Sequence, residues 1–178
     1  MNKFNSIEKF CIASLQLSLM IIIGVISGVC NANCLVSIAK KYQLSPQLLI
    51  SIAITESGGN PEAIGPMNSN GTIDLGIMQI NSAWLPKLKK YGIQRLDLFK
   101  PCVNIEVAAW VLSQNILTYG NTWRAVGAYN SSKPLYQSIY ANKVSIVFAQ
   151  VSDMNTLSIS RRINLSSTLY DAQNRSVK

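Results

Sequence analysis

The sequence predicts an α+β fold that is mainly α-helical and carries one small β-hairpin. Residues 46–56 and 103–117 are apolar segments whose hydrophobic residues recur at the spacing of a buried helix face. Between these segments, residues 60–75 are rich in Gly, Pro, Asn and Ser, and Asn70-Gly71 is a pair typical of a tight hairpin turn. The chain has 178 residues, which is enough for one domain with its own hydrophobic core.

The N-terminus predicts an export signal over residues 1–32. Lys3 and Lys9 precede an uncharged apolar run at 10–29, which ends in small residues up to Ala32. We expect cleavage after Ala32, and we expect the mature protein in the periplasm of a Gram-negative bacterium. An uncleaved membrane anchor is the alternative, because an apolar run of this length could just span a bilayer.

Cleavage after Ala32 would also decide which cysteines remain in the mature protein. It would remove Cys11 and Cys30 and leave Cys34 and Cys102. An even pair of cysteines in an exported chain predicts a disulfide between them. In the chain-entropy model, closing a loop of this length stabilises the fold by about 4–5 kcal/mol. The alternative is a pair of unrelated buried thiols.

Composition limits the chemistry that the chain can perform. The sequence contains no histidine, which excludes Ser-His-Asp and Cys-His catalysis and every His-ligated metal site. It also lacks a glycine-rich phosphate loop and a cluster of metal-ligand residues, so we expect no metal and no cofactor. The net charge of +8 suits an anionic polymer, and for an exported protein the cell wall or an anionic membrane fits better than nucleic acid. We expect a monomer.

The predicted helices follow one another along the chain. Residues 34–42 are predicted to form a short first helix. Ser45 is a suitable N-cap for the second helix, Pro46 occupies its first turn, and Gly58-Gly59 ends it.

The rest of the chain continues this helical pattern up to a polar C-terminal segment. A turn is expected at 97–101, and the later helical segments are 83–91, 103–117, 123–129 and 135–150. We therefore expect one domain over 33–150, followed by a polar, basic tail over 151–178 that is disordered or loosely attached.

Glu56 lies where the apolar stripe of the second helix ends. It follows Ile52 by four residues and Ala53 by three, so its side chain projects from the apolar face. Burial and the partial negative charge at the C-terminal end of a helix both raise the pKa of a carboxyl group there. A carboxylic acid that stays protonated near neutral pH can act as a general acid. The alternative is a glutamate that reaches into water from the last helical turn.

Three short motifs occur in order: Glu-Ser-Gly-Gly at 56–59, Gly-Ile-Met-Gln-Ile-Asn at 76–81 and Ala-Tyr-Asn at 128–130. Together they resemble the lysozyme-like soluble lytic transglycosylase family. The resemblance extends over about residues 34–148 and is strongest to small exported members that accompany type III or type IV secretion systems or type IV pili. It implies a lysozyme-like fold.

The resemblance also implies roles for individual residues. Glu56 matches the catalytic acid and base. The substrate-binding residues that the resemblance implies are Ser57, Met78, Gln79, Asn81, Tyr129 and Asn130. The alternative for Met78 is an ordinary core residue. Of these, Tyr129 is expected to aim its hydroxyl group at Glu56. Ser132 departs from the family pattern, which commonly has a glycine at this position.

A second resemblance concerns Asp74. The stretch 70–84 is similar to the active-site strand of animal-type lysozymes, and Asp74 falls where those enzymes hold their second catalytic carboxylate. The alternative is a turn residue whose side chain bonds to the backbone.

The resemblance implies cleavage of peptidoglycan glycan strands at the β-1,4 bond between N-acetylmuramic acid and N-acetylglucosamine. Glu56 would protonate the glycosidic oxygen and then activate the muramic 6-hydroxyl, which closes a 1,6-anhydro ring. Such an enzyme would open the wall locally for a secretion system or a pilus. The alternatives are a lysozyme-type hydrolase that uses Glu56 and Asp74, and a non-catalytic wall-binding component of a secretion apparatus.

Overall fold

The computed structural model describes residues 34–175, so the expected export signal lies outside the described residues. The helices are α1 (34–41), α2 (Pro46–Ser57), α3 (Leu85–Leu88), α4 (Pro101–Tyr119), α5 (Trp123–Asn130) and α6 (Pro134–Arg175). The strands β1 (Asp74–Leu75) and β2 (Ile80–Asn81) pair antiparallel, and short 3-10 turns lie at Ser82–Trp84, Lys89–Tyr91 and Arg95–Phe99. The predicted fold class, mainly helical with a small β element, is confirmed.

Helix α2 begins and ends where the sequence predicts. The Ser45 hydroxyl accepts a hydrogen bond from the backbone N–H of Leu48, and Pro46 occupies the first helical position, where no N–H is needed. Gly58 ends the helix in the left-handed conformation, with φ 65°. The helix buries Leu49 and Ile52 in the core, which fixes the direction in which its last turn points.

The strand pair differs in position from the predicted hairpin. The chain does reverse near Asn70-Gly71, where the N–H of Asn68 bonds the carbonyl of Thr72 at 2.8 Å. The paired strands β1 and β2, however, are joined by the next loop, residues 76–79. That loop requires positive φ angles at Gly76 and Gln79. A positive φ is uncommon for a residue other than glycine, so the sequence around Gln79 does not predict it.

A buried asparagine holds this second loop against helix α4. The side-chain amide of Asn104 donates hydrogen bonds to the carbonyls of Leu75 and Leu98, at 2.9 and 2.7 Å. Its carbonyl oxygen accepts a hydrogen bond from the N–H of Met78 at 2.7 Å. A side chain at position 76 would collide with this arrangement, since a Cβ there would lie 2.2 Å from the carbonyl oxygen of Leu98.

Helices α5 and α6 approach closely and fix the loop between them. A Cβ at Gly127 would lie 2.4 Å from the carbonyl oxygen of Gln137, so only glycine permits this approach. The buried side chain of Gln137 donates hydrogen bonds to the carbonyls of Ser131 and Ser132, at 3.1 and 3.4 Å. Among the described residues, positive φ outside glycine occurs at Gln43 and Gln79, so Ser132 is accommodated without a left-handed backbone.

The two cysteines at 34 and 102 form the predicted disulfide. It joins the start of α1 to the first turn of α4, with the Cα atoms 5.9 Å apart. The constraint ties the N-terminal end of the described chain to the helix that carries Asn104.

The C-terminal segment has a different conformation from the one predicted. Helix α6 does not end near residue 150 but continues to Arg175, so the disordered conformation expected for the tail at 151–178 is not what the structure has up to that residue. The loose attachment of this segment stays a prediction. Within the residues that the structure describes, no helix has both the length and the apolar character needed to cross a membrane.

Gly76→Ala and Gly71→Ala form a matched pair that tests the packing of the 76–79 loop. Both glycines have positive φ, so each substitution should cost about 1–2 kcal/mol in backbone strain. Only Gly76 faces occupied space, and the overlap there should add about 1–3 kcal/mol, whereas nothing lies within 4 Å of a Cβ at Gly71. Urea unfolding followed by circular dichroism measures both, and equal losses would contradict the close packing at Gly76.

Candidate active site

A cavity of about 600 Å³ opens between the end of α2, the strand pair and the end of α5. It brings together six of the residues predicted from the sequence, namely Glu56, Asp74, Gln79, Asn81, Tyr129 and Asn130. Five of these residues come from the three motifs, and Asp74 comes from the stretch 70–84. Packing of α2, β1–β2 and α5 places all six on one concave surface.

Glu56 lies at the last turn of α2 with its carboxyl group half-buried at the cavity wall. The pKa of Glu56 is raised to about 7, and burial is the largest cause. The hydrogen bond from Tyr140 and the charge of Lys143 oppose this rise, whereas the negative charge of Asp74 adds to it. The predicted rise in pKa by burial is thus present. A carboxyl group with this pKa exists in both protonation states near neutral pH, as a group that first donates and then accepts a proton requires.

The hydroxyl group that meets Glu56 belongs to Tyr140 and not to Tyr129. The Tyr140 hydroxyl donates a hydrogen bond of 2.5 Å to Oε1 of Glu56. The Tyr129 hydroxyl instead donates to the backbone carbonyl of Met78 at 2.9 Å, which corrects the expectation for this residue. The two tyrosine rings are nearly parallel, with centroids 6.4 Å apart, so Tyr129 supports Tyr140 from the side. Burial raises the pKa of both hydroxyl groups, which keeps them protonated as donors.

The sequence analysis did not single out Tyr140 because it lies in α6, outside the three motifs. A weaker signal was present in the helical spacing. Tyr140, Val144 and Val151 share one face of α6, and all three are buried. That spacing places the ring in the core, but it does not say which group the hydroxyl would meet.

Asp74 lies in the same cavity and is held by two side-chain amides. Its Oδ1 accepts a hydrogen bond from Asn81 at 2.8 Å, and its Oδ2 accepts one from Asn68 at 3.2 Å. Asn81 is its direct partner across the strand pair, so the β1–β2 register brings these two side chains together. These contacts differ from the alternative expected for a turn residue, since the Asp74 carboxylate bonds to side chains and faces the cavity. Asn68 was not predicted from the sequence.

Two other residues from the motifs have structural contacts in place of a position in the cavity. The Ser57 hydroxyl donates to the carbonyl of Ile77 at 2.7 Å and so ties the end of α2 to the 76–79 loop. The Met78 side chain is fully buried in the core, which corrects its expected place in the groove. Both residues stabilise the elements that position the site, and neither lines the cavity.

Gln79 both lines the cavity and holds its own loop. Its side-chain amide donates to the carbonyls of Gly76 and Ala63, at 2.8 and 3.3 Å. These bonds stabilise the positive φ of 48° at Gln79, which would otherwise be costly for a residue with a side chain. Among the described residues, no three His, Cys, Asp or Glu side chains cluster as a metal site would require.

The arrangement is suited to cleaving a bond between two sugars. Glu56 can donate a proton to a leaving oxygen, and the Asp74 carboxylate in the same cavity can stabilise positive charge that develops at the neighbouring carbon. The cavity wall adds polar amides and a half-buried Trp84, the mixture of hydrogen-bonding groups and an aromatic ring that a glycan needs.

Comparison with known proteins agrees with this geometry. Residues 33–137 match the family model described as "Transglycosylase SLT domain". "Invasion protein IagB" of Salmonella typhi is 36% identical over 140 residues, which cover 76% of this chain and 87% of the relative. "Protein IpgF" of Shigella flexneri is 37% identical over 102 residues, which cover 57% of this chain and 66% of that relative.

A solved structure has a similar fold. It is the X-ray structure of the lytic transglycosylase Slt, inactive mutant E503Q, from Pseudomonas aeruginosa, with a TM-score of 0.56 and 22% sequence identity. The match covers 70% of this chain and only 24% of that chain. At this identity the likeness concerns the fold, and it agrees with the lysozyme-like fold implied by the motifs.

Tyr140→Phe should raise the pKa of Glu56 above its value of about 7, because the lost hydrogen bond favours the charged carboxylate. Carbon-13 NMR titration of the glutamate side chains measures this directly. Tyr136→Phe is the matched control, since Tyr136 is an exposed tyrosine on the same helix. An unchanged Glu56 pKa in Tyr140→Phe would mean that the hydrogen bond does not act on this carboxyl group.

Proposed function

Because the chain belongs to the transglycosylase SLT domain family, we propose that it cleaves peptidoglycan as a lytic transglycosylase and leaves 1,6-anhydro-N-acetylmuramic acid ends. The single observation that carries this proposal is Glu56, a half-buried carboxyl group with a pKa of about 7, facing a cavity of the size and polarity of a glycan site. The family model covers the motif that contains Glu56 and every residue that lines the cavity.

The reaction uses Glu56 twice. As an acid, it protonates the oxygen that links N-acetylmuramic acid C1 to N-acetylglucosamine O4, and the C1–O4 bond breaks. Positive charge then develops at C1. The Glu56 carboxylate next removes the proton from the 6-hydroxyl of the same muramic acid, and O6 forms a bond to C1. The proton that Glu56 gave is thereby returned to it, and no water is consumed.

The hydrogen bond from Tyr140 acts on both halves of this cycle. It holds Oε1 of Glu56 in one position, and it lowers the pKa that burial would otherwise raise further. With a much higher pKa, Glu56 would still act as a base, but it would be a weaker acid towards the glycosidic oxygen. A pKa of about 7 serves both steps at neutral pH.

A lysozyme-type hydrolase is the second candidate, and Asp74 is the observation that favours it. This carboxylate lies in the same cavity as Glu56, where it could stabilise the positive charge or form a bond to C1. Water would then resolve the intermediate and leave a reducing muramic end. The two candidates therefore predict different products from the same cleavage.

The cellular setting is a further part of the proposal. The export signal expected at 1–32 supports action in the periplasm, where the peptidoglycan lies. Resemblance to the small exported members of the family supports local opening of the wall for a secretion system or a pilus. The similarity to a relative named for invasion is consistent with such a setting.

Glu56→Gln should reduce cleavage of purified peptidoglycan by about 10²–10⁴-fold, because an amide cannot donate the proton. Glu62→Gln is the matched control, since Glu62 is an exposed glutamate outside the cavity lining. Mass spectrometry of the wild-type products identifies the chemistry. Anhydro ends support a lytic transglycosylase and reducing ends support the hydrolase, whereas substantial activity in Glu56→Gln would remove Glu56 from its role.

Asp74→Asn should lower kcat by about 10–100-fold if the Asp74 carboxylate stabilises the developing positive charge. The substitution keeps the size of the side chain but removes its charge. Asp153→Asn, at an exposed position on α6, is the matched control. If Asp74→Asn cleaves at the wild-type rate with the same products, Asp74 serves only the structure of the strand pair.

A further inference from the structure

A second cavity of about 510 Å³ opens between helices α5 and α6 and shares no lining residue with the catalytic cavity. Its size lies within the roughly 300–1,000 Å³ of small-ligand sites. Its lining includes one aromatic ring, two side-chain amides and one guanidinium group, namely Trp123, Gln137, Asn142 and Arg124. None of these side chains takes part in the cleavage proposed above, so the second cavity has no role in that reaction.

The loop between α5 and α6 connects the walls of the two cavities. Ser131 and Lys133 line the catalytic cavity, and Pro134, the next residue along the chain, lines the second. Gln137 also lines the second cavity, and its side-chain Nε2 donates hydrogen bonds to the carbonyls of Ser131 and Ser132. The two cavities are therefore neighbours along this loop, close enough for a polymer seated in the first to reach the second.

Trp123 gives the second cavity a fixed aromatic surface. Its ring meets that of Phe148 edge to face, with centroids 5.9 Å apart, yet Trp123 stays 45% exposed. The contact with Phe148 thus holds the ring in place and leaves part of it open to a ligand. Sugar rings present faces of C–H groups, and an aromatic ring suits such faces.

Gln137 brings an unpaired hydrogen-bond acceptor to the same place. The residue is only 2% exposed, and its Oε1 has no hydrogen-bond partner within the part of the chain that the structure describes. A buried acceptor without a partner is unfavourable, so a ligand that supplies a donor there would be stabilised. The N–H of an acetamido group is a donor of this kind.

Two exposed side chains add polar groups to the cavity. The guanidinium group of Arg124 lies 4.8 Å from the centroid of the Tyr119 ring, and it belongs to neither of the ion pairs found among the described residues. Asn142 contributes an amide that can both donate and accept. A ring surface together with amides and a guanidinium group suits a sugar with hydroxyl and acetamido substituents.

We propose that the second cavity binds an N-acetylated sugar unit of peptidoglycan away from the bond that is cleaved, and so anchors the enzyme to the wall. The choice of an N-acetylated sugar rests on the proposed function, whereas the aromatic ring and the unpaired acceptor are features of the second cavity itself. Trp123 and Gln137 are then binding residues that take no part in the chemical step.

The first test measures binding of a defined sugar. The β-1,4-linked tetramer of N-acetylglucosamine is titrated into nitrogen-15-labelled Glu56→Gln protein and followed by NMR. The indole N–H of Trp123 and the side-chain amide of Gln137 should both shift and saturate. The indole N–H of Trp84 reports the catalytic cavity independently, since Trp84 lines that cavity.

The second test measures cleavage of insoluble peptidoglycan by Trp123→Ala. The apparent KM should rise about five- to tenfold, the range for truncating one aromatic contact, while kcat stays unchanged. An unchanged kcat also shows that the variant is folded. Tyr136→Ala is the matched control, because Tyr136 is an exposed aromatic residue on α6 that lines neither cavity, and it should change neither constant.

Asn142→Leu keeps the proposal testable if Trp123→Ala does not fold. Asn142 is exposed on α6, so the substitution replaces an amide of the cavity without disturbing the core. It should weaken the tetramer-induced shift of Gln137 and raise the apparent KM, again with kcat unchanged.

Failure of the sugar site and failure of the proposed function give different results. If neither Trp123 nor Gln137 shifts when the Trp84 signal is saturated, or if KM is unchanged in folded Trp123→Ala and in Asn142→Leu, the sugar site is overturned and the proposed function stands. If the tetramer shifts Trp123 and Gln137 but the wild type leaves peptidoglycan intact, the sugar site is supported and the proposed function is overturned.

Discussion

The buried amide of Asn104 is the contact on which the geometry of the site depends. Its three hydrogen bonds to Leu75, Met78 and Leu98 replace the water that these backbone groups would lose on burial. Asn104 binds Met78 through its N–H, and the carbonyl of Met78 accepts a hydrogen bond from the hydroxyl of Tyr129, whose ring lies beside that of Tyr140. A continuous set of contacts therefore runs from the core of α4 to the acid on α2.

The two carboxyl groups of the cavity differ because their surroundings differ. Glu56 comes from a helix whose face is buried, so desolvation dominates its pKa. Asp74 comes from a strand at the cavity edge, where the Asn68 and Asn81 amides bind its oxygens. Burial thus favours the neutral form of Glu56, whereas two side-chain amides hold the Asp74 carboxyl group in position.

Sequence reasoning succeeded where a local signal decides the structure. Ser45, Pro46 and Gly58 mark the ends of α2 by their own conformational preferences, and the apolar spacing before Glu56 predicts that its side chain meets the core. A motif gives positions along the chain, however, and not the direction of each side chain. Met78 therefore turned out to be core.

The features that sequence reasoning missed depend on tertiary packing. Tyr140 reaches Glu56 only because α6 packs against both α2 and α5. The loop at 76–79 forms where it does because Asn104, from a distant helix, binds its backbone. Each of these two contacts joins residues that are far apart in the sequence, so no single stretch of sequence predicts it. Helix α6, whose polar C-terminal half suggested disorder, continues because nothing in that half interrupts a helix already begun at Pro134.

The disulfide between Cys34 and Cys102 makes one part of this architecture sensitive to its chemical surroundings. In a reducing compartment the two residues remain thiols, and helix α1 is held against α4 by packing alone. In an oxidising compartment a covalent bond secures the helix that carries Asn104. The fold would then reach its full stability against unfolding only in an oxidising environment, because the disulfide forms there.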